Sequence, residues 1–377
     1  MDEIARLWWS LPGPSRFIDR LCRTFRSGRS SVVLVPDVIP CRLRDAVRRI
    51  VQDHEIAEWV DLDPAALHGG APAGLIRERL RLEPSIVSAV DVARSAAFIG
   101  YLVWVDGIPP GDWSRWSVFL EEYANASRSR GEHERSIFCV QAPPAVAGSL
   151  PRQDVALGIE LWRDVVTQLD LFLFSLQLSS LQTVGERPLL QRLHAALVSE
   201  LAVFDGILAA RLAECTTAEL LDPEALLEDY AASRGWHETT WGQGWASGAE
   251  AIVDGQPIPH VCADLVNGRE ARAIEQRLWR AQVSILFPAI EEQRIRLLRR
   301  YGAFVRLPWR TAFGEIHDVH DLELGHLLKQ LHGRHGVRSE HVRLLECLAK
   351  ARNALAHIEL VDFESIKTIA ATGLPPP

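Results

Sequence analysis

The sequence predicts a mixed fold: an α/β N-terminal part on a mainly parallel sheet, then a predominantly α-helical C-terminal half. Three observations carry this. Up to about residue 150, short apolar runs such as Ser31–Val35 (SVVLV) and Ala97–Val105 (AFIGYLVWV) alternate with stretches of helical spacing. Strands separated by helices favour parallel pairing with both faces covered. Past the Ala142–Pro151 stretch, which holds Pro143, Pro144, Gly148 and Pro151, helical periodicity dominates. Finally, 377 residues with 47% hydrophobic and 24% charged side chains exceed one ordinary core and predict two or three folded domains.

Taken in order, Ser15–Ser27 is a short helix, Ser31–Val35 a buried strand, Arg42–Gln52 a helix and Ile56–Leu62 a second strand. Ala97–Val105 is a long apolar strand ending at Asp106, Asp112–Ala126 a helix, and Ser136–Gln141 (SIFCVQ) a further strand. Asp154 is placed to cap a long helix running to about Ser179, and Leu189–Leu212 and Pro223–Ser233 follow as helices. Gly235–Gly268, rich in glycine and carrying Trp236, Trp241 and Trp245, reads as an insertion bearing a hairpin with Asp254-Gly255 as its turn. Helix returns over Arg269–Arg300, Asp321–Leu331 and Ser339–His357, and the last four residues (LPPP) read as a tail. The domains expected are 1–150, α/β; 151–268, a helical linker domain with the Trp/Gly-rich insertion; and 269–377, helical.

Composition narrows the function classes. No apolar stretch approaches the ~20 residues a spanning helix needs, and Met1-Asp2-Glu3 carries acid where a secretion signal carries base. A cytoplasmic protein is expected. Six cysteines (Cys22, Cys41, Cys139, Cys215, Cys262, Cys347) without a CxxC support neither a zinc ribbon nor a dithiol redox site. Only Lys329, Lys350 and Lys367 are lysines among 41 basic residues, a bias typical of GC-rich bacterial genomes. The net charge of −8 is uneven, with 270–357 carrying +5 and the remainder −13. An acidic body with a basic C-terminal segment excludes wholesale coating of nucleic acid and allows a local nucleic-acid surface.

The N-terminal layout of strand, loop, helix and a later apolar strand ending in Asp106 resembles P-loop ATPases of the AAA type. A phosphate loop would follow the first strand as a Gly-rich turn ending in Lys-Ser/Thr. That position reads Pro36-Asp37-Val38-Ile39-Pro40-Cys41, and Gly28-Arg29-Ser30-Ser31 precedes the strand and cannot cap the helix after it. No lysine precedes Lys329. The resemblance implies a degenerate module over residues 1–150, retained as a docking surface and not as an ATPase. The plain alternative is an unrelated α/β domain whose Asp106 ends a strand, with Trp104, Trp113 and Trp116 as core or interface aromatics.

On a helical wheel, Ser339–His357 presents Val342, Leu345, Leu348, Ala349, Leu355 and Ala356 as one apolar face with Arg352 in its middle. A charge there is costly unless paired or turned to a cleft. Asn353 and His357, four apart, share another edge, so the amide can orient the ring. Arg352 and His357 lie ~140° apart on an ideal helix. The hexapeptide Arg352-Asn353-Ala354-Leu355-Ala356-His357 closely resembles the signature of HEPN domains, small helical bundles that include many ribonucleases of bacterial toxin and antiphage systems. The resemblance covers about 270–370, including the Arg-rich helix, the Asp321-Leu322-Glu323-Leu324-Gly325 helix start and a trailing Phe363–Ile369 segment. It implies metal-free RNA cleavage in a cleft pooled from two motifs. His357 would be the general base or acid, Arg352 the phosphate holder, and Asn353 the residue that positions His357 or a phosphate oxygen. The alternative is that Arg352 pairs with an acid such as Asp318 or Glu323 while His357 caps the helix end.

Gln293–Gly314 holds Arg294, Arg296, Arg299, Arg300, Arg306 and Arg310 and no acid, interleaved with Tyr301, Phe304, Trp309 and Phe313. Arginines neutralise phosphates and aromatics stack on unpaired bases, so Arg294, Arg299, Arg300, Arg306 and Arg310 are candidate RNA contacts. The alternative is an amphipathic helix with solvated arginines and core aromatics. His317-x-x-His320, His332-x-x-His335 and His237-Glu238 lack the spacing of a metal site, and neither GxSxG nor GxGxxG is present. No metal or cofactor is expected. The sequence thus predicts an RNA-directed effector or effector subunit of a bacterial antiphage system, as a homodimer or hetero-oligomer with RNA and defence-complex proteins as partners. Its rivals are a non-catalytic scaffold of such a complex and, third, a regulator that binds RNA or DNA without cutting.

Overall fold

The computed structural model describes residues 3–36, 38–39, 42–66, 70–131, 134–182, 187–236, 244–253, 255–266, 271–312 and 314–372. The chain forms two compact units. One comprises Met1–Asp170, Phe204–Ile207 and Gly235–His260; the other comprises Leu171–Val203, Leu208–Arg234 and Val261–Pro377.

The first unit is built on five parallel strands, β1 (Ser30–Leu34), β2 (Glu58–Leu62), β3 (Tyr101–Val105), β4 (Ile137–Gln141) and β5 (Leu157–Leu161), in the order β2-β3-β4-β1-β5. Val32, Leu34, Val60, Leu62, Val103, Val105, Phe138 and Val140 share a core with α4 (Pro72–Leu80), α5 (Ala89–Arg94) and α6 (Trp113–Ser127). Toward the other helices Trp59 stacks on Trp104 at 5.6 Å, and Arg48 of α3 (Leu43–Asp53) lies over Trp59. Burial on both faces is why β1 and β3 read as continuous apolar runs and not as alternation. Trp8 and Trp9 of α1 (Glu3–Ser10) and Phe17 of α2 (Pro12–Arg26) gather round Trp162 after β5.

The structure departs from the sequence reading at several elements. Leu157–Leu161 is a strand, not the opening of a helix capped by Asp154. That carboxylate instead accepts the Ala156 N–H in a turn, and β5 pairs with β1 from Ser30↔Leu157 to Leu34↔Leu161. Helix α7 (Gln168–Gln182) begins after Thr167, which exchanges a reciprocal cap with Asp170. Helices α1, α4 and α5 are additional. In the insertion, β6 (Glu250–Val253) and β7 (Gln256–Pro259) pair antiparallel with Val253 opposite Gln256, and Gly255 adopts φ 71°. Asp254, His237, Glu238 and Trp241 lie outside the described residues.

The second unit is helical. Its longest helix, α13 (Ala271–Tyr301), packs against α8 (Pro188–Ala202) and α15 (Ser339–Ala356), and α15 packs against α14 (Leu324–Leu331) and α16 (Phe363–Thr372). The buried His194 ring fixes α8 between Ser179 Oγ and the Cys215 carbonyl at 2.7 and 2.8 Å, so the nitrogen facing that carbonyl carries its proton. The helix expected over Leu189–Leu212 is two, α8 and α9 (Gly206–Leu212), broken at Val203 (φ 59°, ψ −66°), and α10 (Thr217–Leu220), α11 (Glu224–Ser233) and α12 (Val261–Val266) follow. A short hairpin, β8 (Trp309–Thr311) with β9 (Gly314–Ile316), follows α13. Among the described residues no helix is long and apolar enough to cross a membrane.

Candidate functional site

The end of α15 is held by side chains of α13. Trp279 Nε1 donates to the Leu355 carbonyl at 2.9 Å. Buried Gln282 donates to the Val361 carbonyl (3.0 Å) and accepts its N–H (2.8 Å), and Tyr301 Oη meets His341 Nδ1 at 2.6 Å. Asp362 caps α16 through Ser365 and pairs with Lys350 at 2.9 Å; those hydrogen bonds depress its pKa to about 2. The motif helix is therefore fixed at both ends, before any functional side chain is considered.

The buried stripe of α15 is His341, Leu344, Leu345, Leu348, Ala351 and Leu355. It is rotated from the sequence-based face toward Leu344 and Ala351, because α13, α14 and α16 pack on that side. Arg352 thus sits on the flank of the stripe and not in its middle, with 30% of its side chain exposed. Its Nε lies 3.7 Å from Glu291 Oε1 and its Nη2 3.5 Å from Glu323 Oε1. Of the acids named from the sequence, Glu323 is a partner, whereas Asp318 accepts the His320 N–H instead. Glu291 is shared with Arg294, whose Nε approaches it at 2.7 Å and whose Nη1 donates to the His320 and Leu322 carbonyls.

Asn353 and His357 are exposed. The expected amide-to-imidazole contact is absent among the described residues. His357 is the residue after the last helical turn (φ −100°, ψ 13°), so its side chain leaves the helical register on which four-residue spacing depends. The helix closes with Glu359 N–H on the Ala354 carbonyl and Ile358 N–H on that of Leu355, which places Ile358 at φ 62°.

The basic segment divides. Arg294, Arg296 and Arg310 pair with Glu291, Glu292 and Glu315. Arg299, Arg300 and Arg306 are exposed, with Arg300 over the Tyr301 ring. Tyr301 is only 4% exposed and packs with Phe304 and His341, so it is core and unavailable for stacking on a base. Burial first, then Arg300, lowers the His341 pKa. Trp309 is half-buried on β8, and Phe313 lies outside the described residues. Sequence reasoning missed Glu291, Trp279 and Gln282. A polar Gln282 inside the apolar AQVSILF run was the one signal available.

No family model and no curated protein matches the chain.

Chemically, then, the α15 end rests on its own geometry. Arg352 has two ion pairs at 3.5 Å or beyond, and neither it, Asn353 nor His357 makes a side-chain hydrogen bond among the described residues. A guanidinium with unused donors beside an exposed amide and imidazole can receive a phosphodiester. His317 and His332 lie 3.9 and 3.8 Å from Glu315 and Glu346, and no group of metal-ligating side chains occurs among the described residues.

The α/β unit offers a different place. The chain leaves β1 toward the β2 edge and leaves β4 toward β5, so the connections part at the carboxyl ends of these neighbours, where open parallel sheets hold ligands. A cleft of about 420 Å3 lies there, lined by Val35, Pro36, Arg42, Arg44, Asp106 and Gln141 among others. Burial raises the Asp106 pKa, while the Trp104 N–H (3.2 Å) and Arg44 (3.9 Å) counter it. With Asp106 tied to an arginine and an indole, and no lysine in the unit, these side chains do not fit a magnesium–nucleotide site. Asp37, Pro40 and Cys41 of the loop after β1 lie outside the described residues.

Proposed function

We propose that this chain is an RNA-directed effector or effector subunit of a bacterial antiphage or conflict system, acting through a HEPN-like site at the end of α15. The observation that carries the reading is Arg352, half-buried between Glu291 and Glu323 without a hydrogen bond, beside exposed Asn353 and His357. The hexapeptide's likeness to the HEPN signature supplies the bacterial-defence setting. In this reading the α/β unit is a P-loop-like module without hydrolysis, which the parallel sheet with Asp106 after β3 supports.

One His357 takes the proton of a ribose 2′-hydroxyl. The 2′-oxygen attacks the adjacent phosphorus, and the bond to the 5′-oxygen breaks, leaving a 2′,3′-cyclic phosphate and a 5′-hydroxyl once that oxygen is protonated. Arg352 turns toward the phosphate as negative charge builds on it. Arg352 stays on the half-buried flank of α15 between two acids while His357 lies beyond the helix end in solvent, so in this reading a second copy related by a two-fold supplies the complementary residues.

A second reading, a non-catalytic scaffold of a defence complex, is favoured by Arg352 being paired within one chain. The experiment separating them is cleavage of tRNA and total RNA by wild-type protein and His357→Ala, with chelator present, across concentrations that populate the dimer. The expected result is chelator-resistant cleavage leaving cyclic phosphate, reduced roughly 10²–10⁴-fold in the variant. Wild-type protein that cleaves nothing under these conditions overturns the enzyme and leaves the scaffold.

A further inference from the structure

Beside the C-terminal turn of α13 lies a notch of about 300 Å3, at the lower end of the ~300–1,000 Å3 typical of small-molecule sites. Its walls are apolar, formed by Leu298, Val305, Leu307 and Val319 around Gly302. The two polar side chains lining it, Arg299 and His320, are both exposed. Leu307, 39% exposed, leaves part of this apolar wall open to solvent.

We propose that this notch is a subsite for one unpaired nucleobase of a single-stranded RNA. Two features select that occupant. The notch is embedded in the Gln293–Gly314 segment of six arginines and no acid, and Arg299 and Arg306 have no acidic partner among the described residues. An apolar slot with a cationic edge in a basic surface suits a base flanked by phosphate, whereas a hydrophobic peptide would gain nothing from the arginines. The notch also shares a frame with the α15 end. Arg294 binds the carbonyls of His320 and Leu322 to α13, and Glu323, next along the chain, faces Arg352. The base inserts against Val305, Leu307 and Val319, Arg299 pairs with the adjoining phosphate, and His320 meets the base edge. This subsite rests on the RNA-directed reading but requires no cleavage.

The test is fluorescence-anisotropy binding of the full chain to a short single-stranded oligoribonucleotide, an abasic backbone of equal length and an RNA duplex. Gly302→Phe adds an aromatic ring at the notch, at a position where the added Cβ meets nothing within 4 Å, and Leu307→Asp charges an exposed wall. Wild-type protein is expected to bind the single strand at least tenfold more tightly than the abasic backbone or the duplex. Both variants are expected to lose roughly tenfold for the single strand, the order of burying about 60 Å2 of apolar base surface, and nothing for the abasic backbone. Arg299→Ala should weaken both ligands and flatten the salt dependence by about 0.7 of a logarithmic slope. Single-strand binding that both notch variants leave intact overturns the subsite while the RNA reading stands. Equal wild-type affinity for single strand and abasic backbone does the same. Wild-type protein that binds no RNA overturns the RNA reading and the subsite together.

Discussion

Two half-buried charges, one in each unit, are held in opposite ways. Asp106, after β3, is an acid attended by the Trp104 indole and Arg44 inside a cleft at the end of a rigid parallel sheet. Arg352, near the end of α15, is a base attended by two carboxylates, with an exposed amide and imidazole beside it. The acid has a hydrogen bond from its own strand; the arginine has ion pairs and no hydrogen bond. A group that accepts a hydrogen bond from its own strand is held by the frame, whereas one with all its donors left over is available to a ligand. On that contrast rests the proposal that chemistry belongs to the helical unit and not to the sheet cleft.

The largest expected effect tests the frame side. Trp104 is fully buried, stacks on Trp59 and donates to Asp106. Trp104→Ala should destabilise the α/β unit by about 3–5 kcal/mol. Hydrogen exchange resolves this, because amides of β1, β3 and β4 should lose protection while those of α15 keep theirs. Equal loss in both would end the separation of the two units. Next comes Glu291→Gln, which weakens the charge-assisted bond to Arg294 and should cost about 1–2 kcal/mol in the helical unit. Arg352→Met, which removes only the longer ion pairs, should cost under about 1 kcal/mol. If urea denaturation shows Arg352→Met to cost more than Glu291→Gln, Arg352 is a structural strut and the contrast with Asp106 collapses.

The sheet was legible where burial is two-sided. Val32, Val33 and Leu34 of β1 and Leu102–Val105 of β3 are buried on both faces, so the apolar run is the strand. β5 escaped because an edge strand needs only one apolar face, and Leu157-Gly158-Ile159-Glu160-Leu161 carries glycine and an acid. Helices α4 and α5 are short and lie between proline- and glycine-containing turns, leaving too few turns for a period to register. At the candidate site, the residue types and the Glu323 partner could be read from the chain. Arg352's position on the stripe could not, because which side of α15 is covered depends on α13, α14 and α16. Nor could the sharing of Glu291 between Arg294 and Arg352, a tertiary fact with no local spacing to announce it.

The smallest expected effect is also the most local test of whether the α15 end is frame or site. Ile358 follows His357, is 64% exposed and occupies φ 62°. A β-branched residue is rarely found there, since its Cβ crowds the backbone, and glycine is usual at this point of a helix end. Exposure removes any packing reason for isoleucine, so the strain has no compensation within the unit. Ile358→Gly should therefore stabilise the helical unit, by about 0.5–1 kcal/mol, because relief of the left-handed strain outweighs glycine's larger unfolded-state entropy. Thermal denaturation measures the gain. RNA cleavage and binding measured on the same variant then decide what the isoleucine is for. A more stable protein with reduced RNA activity places Ile358 in the working surface with His357, as expected where strain is retained at a functional position. A more stable protein with unchanged activity makes it a tolerated flaw in the helix end. A less stable protein shows that Ile358 is covered in solution, which would make the α15 end an interface before it is a site.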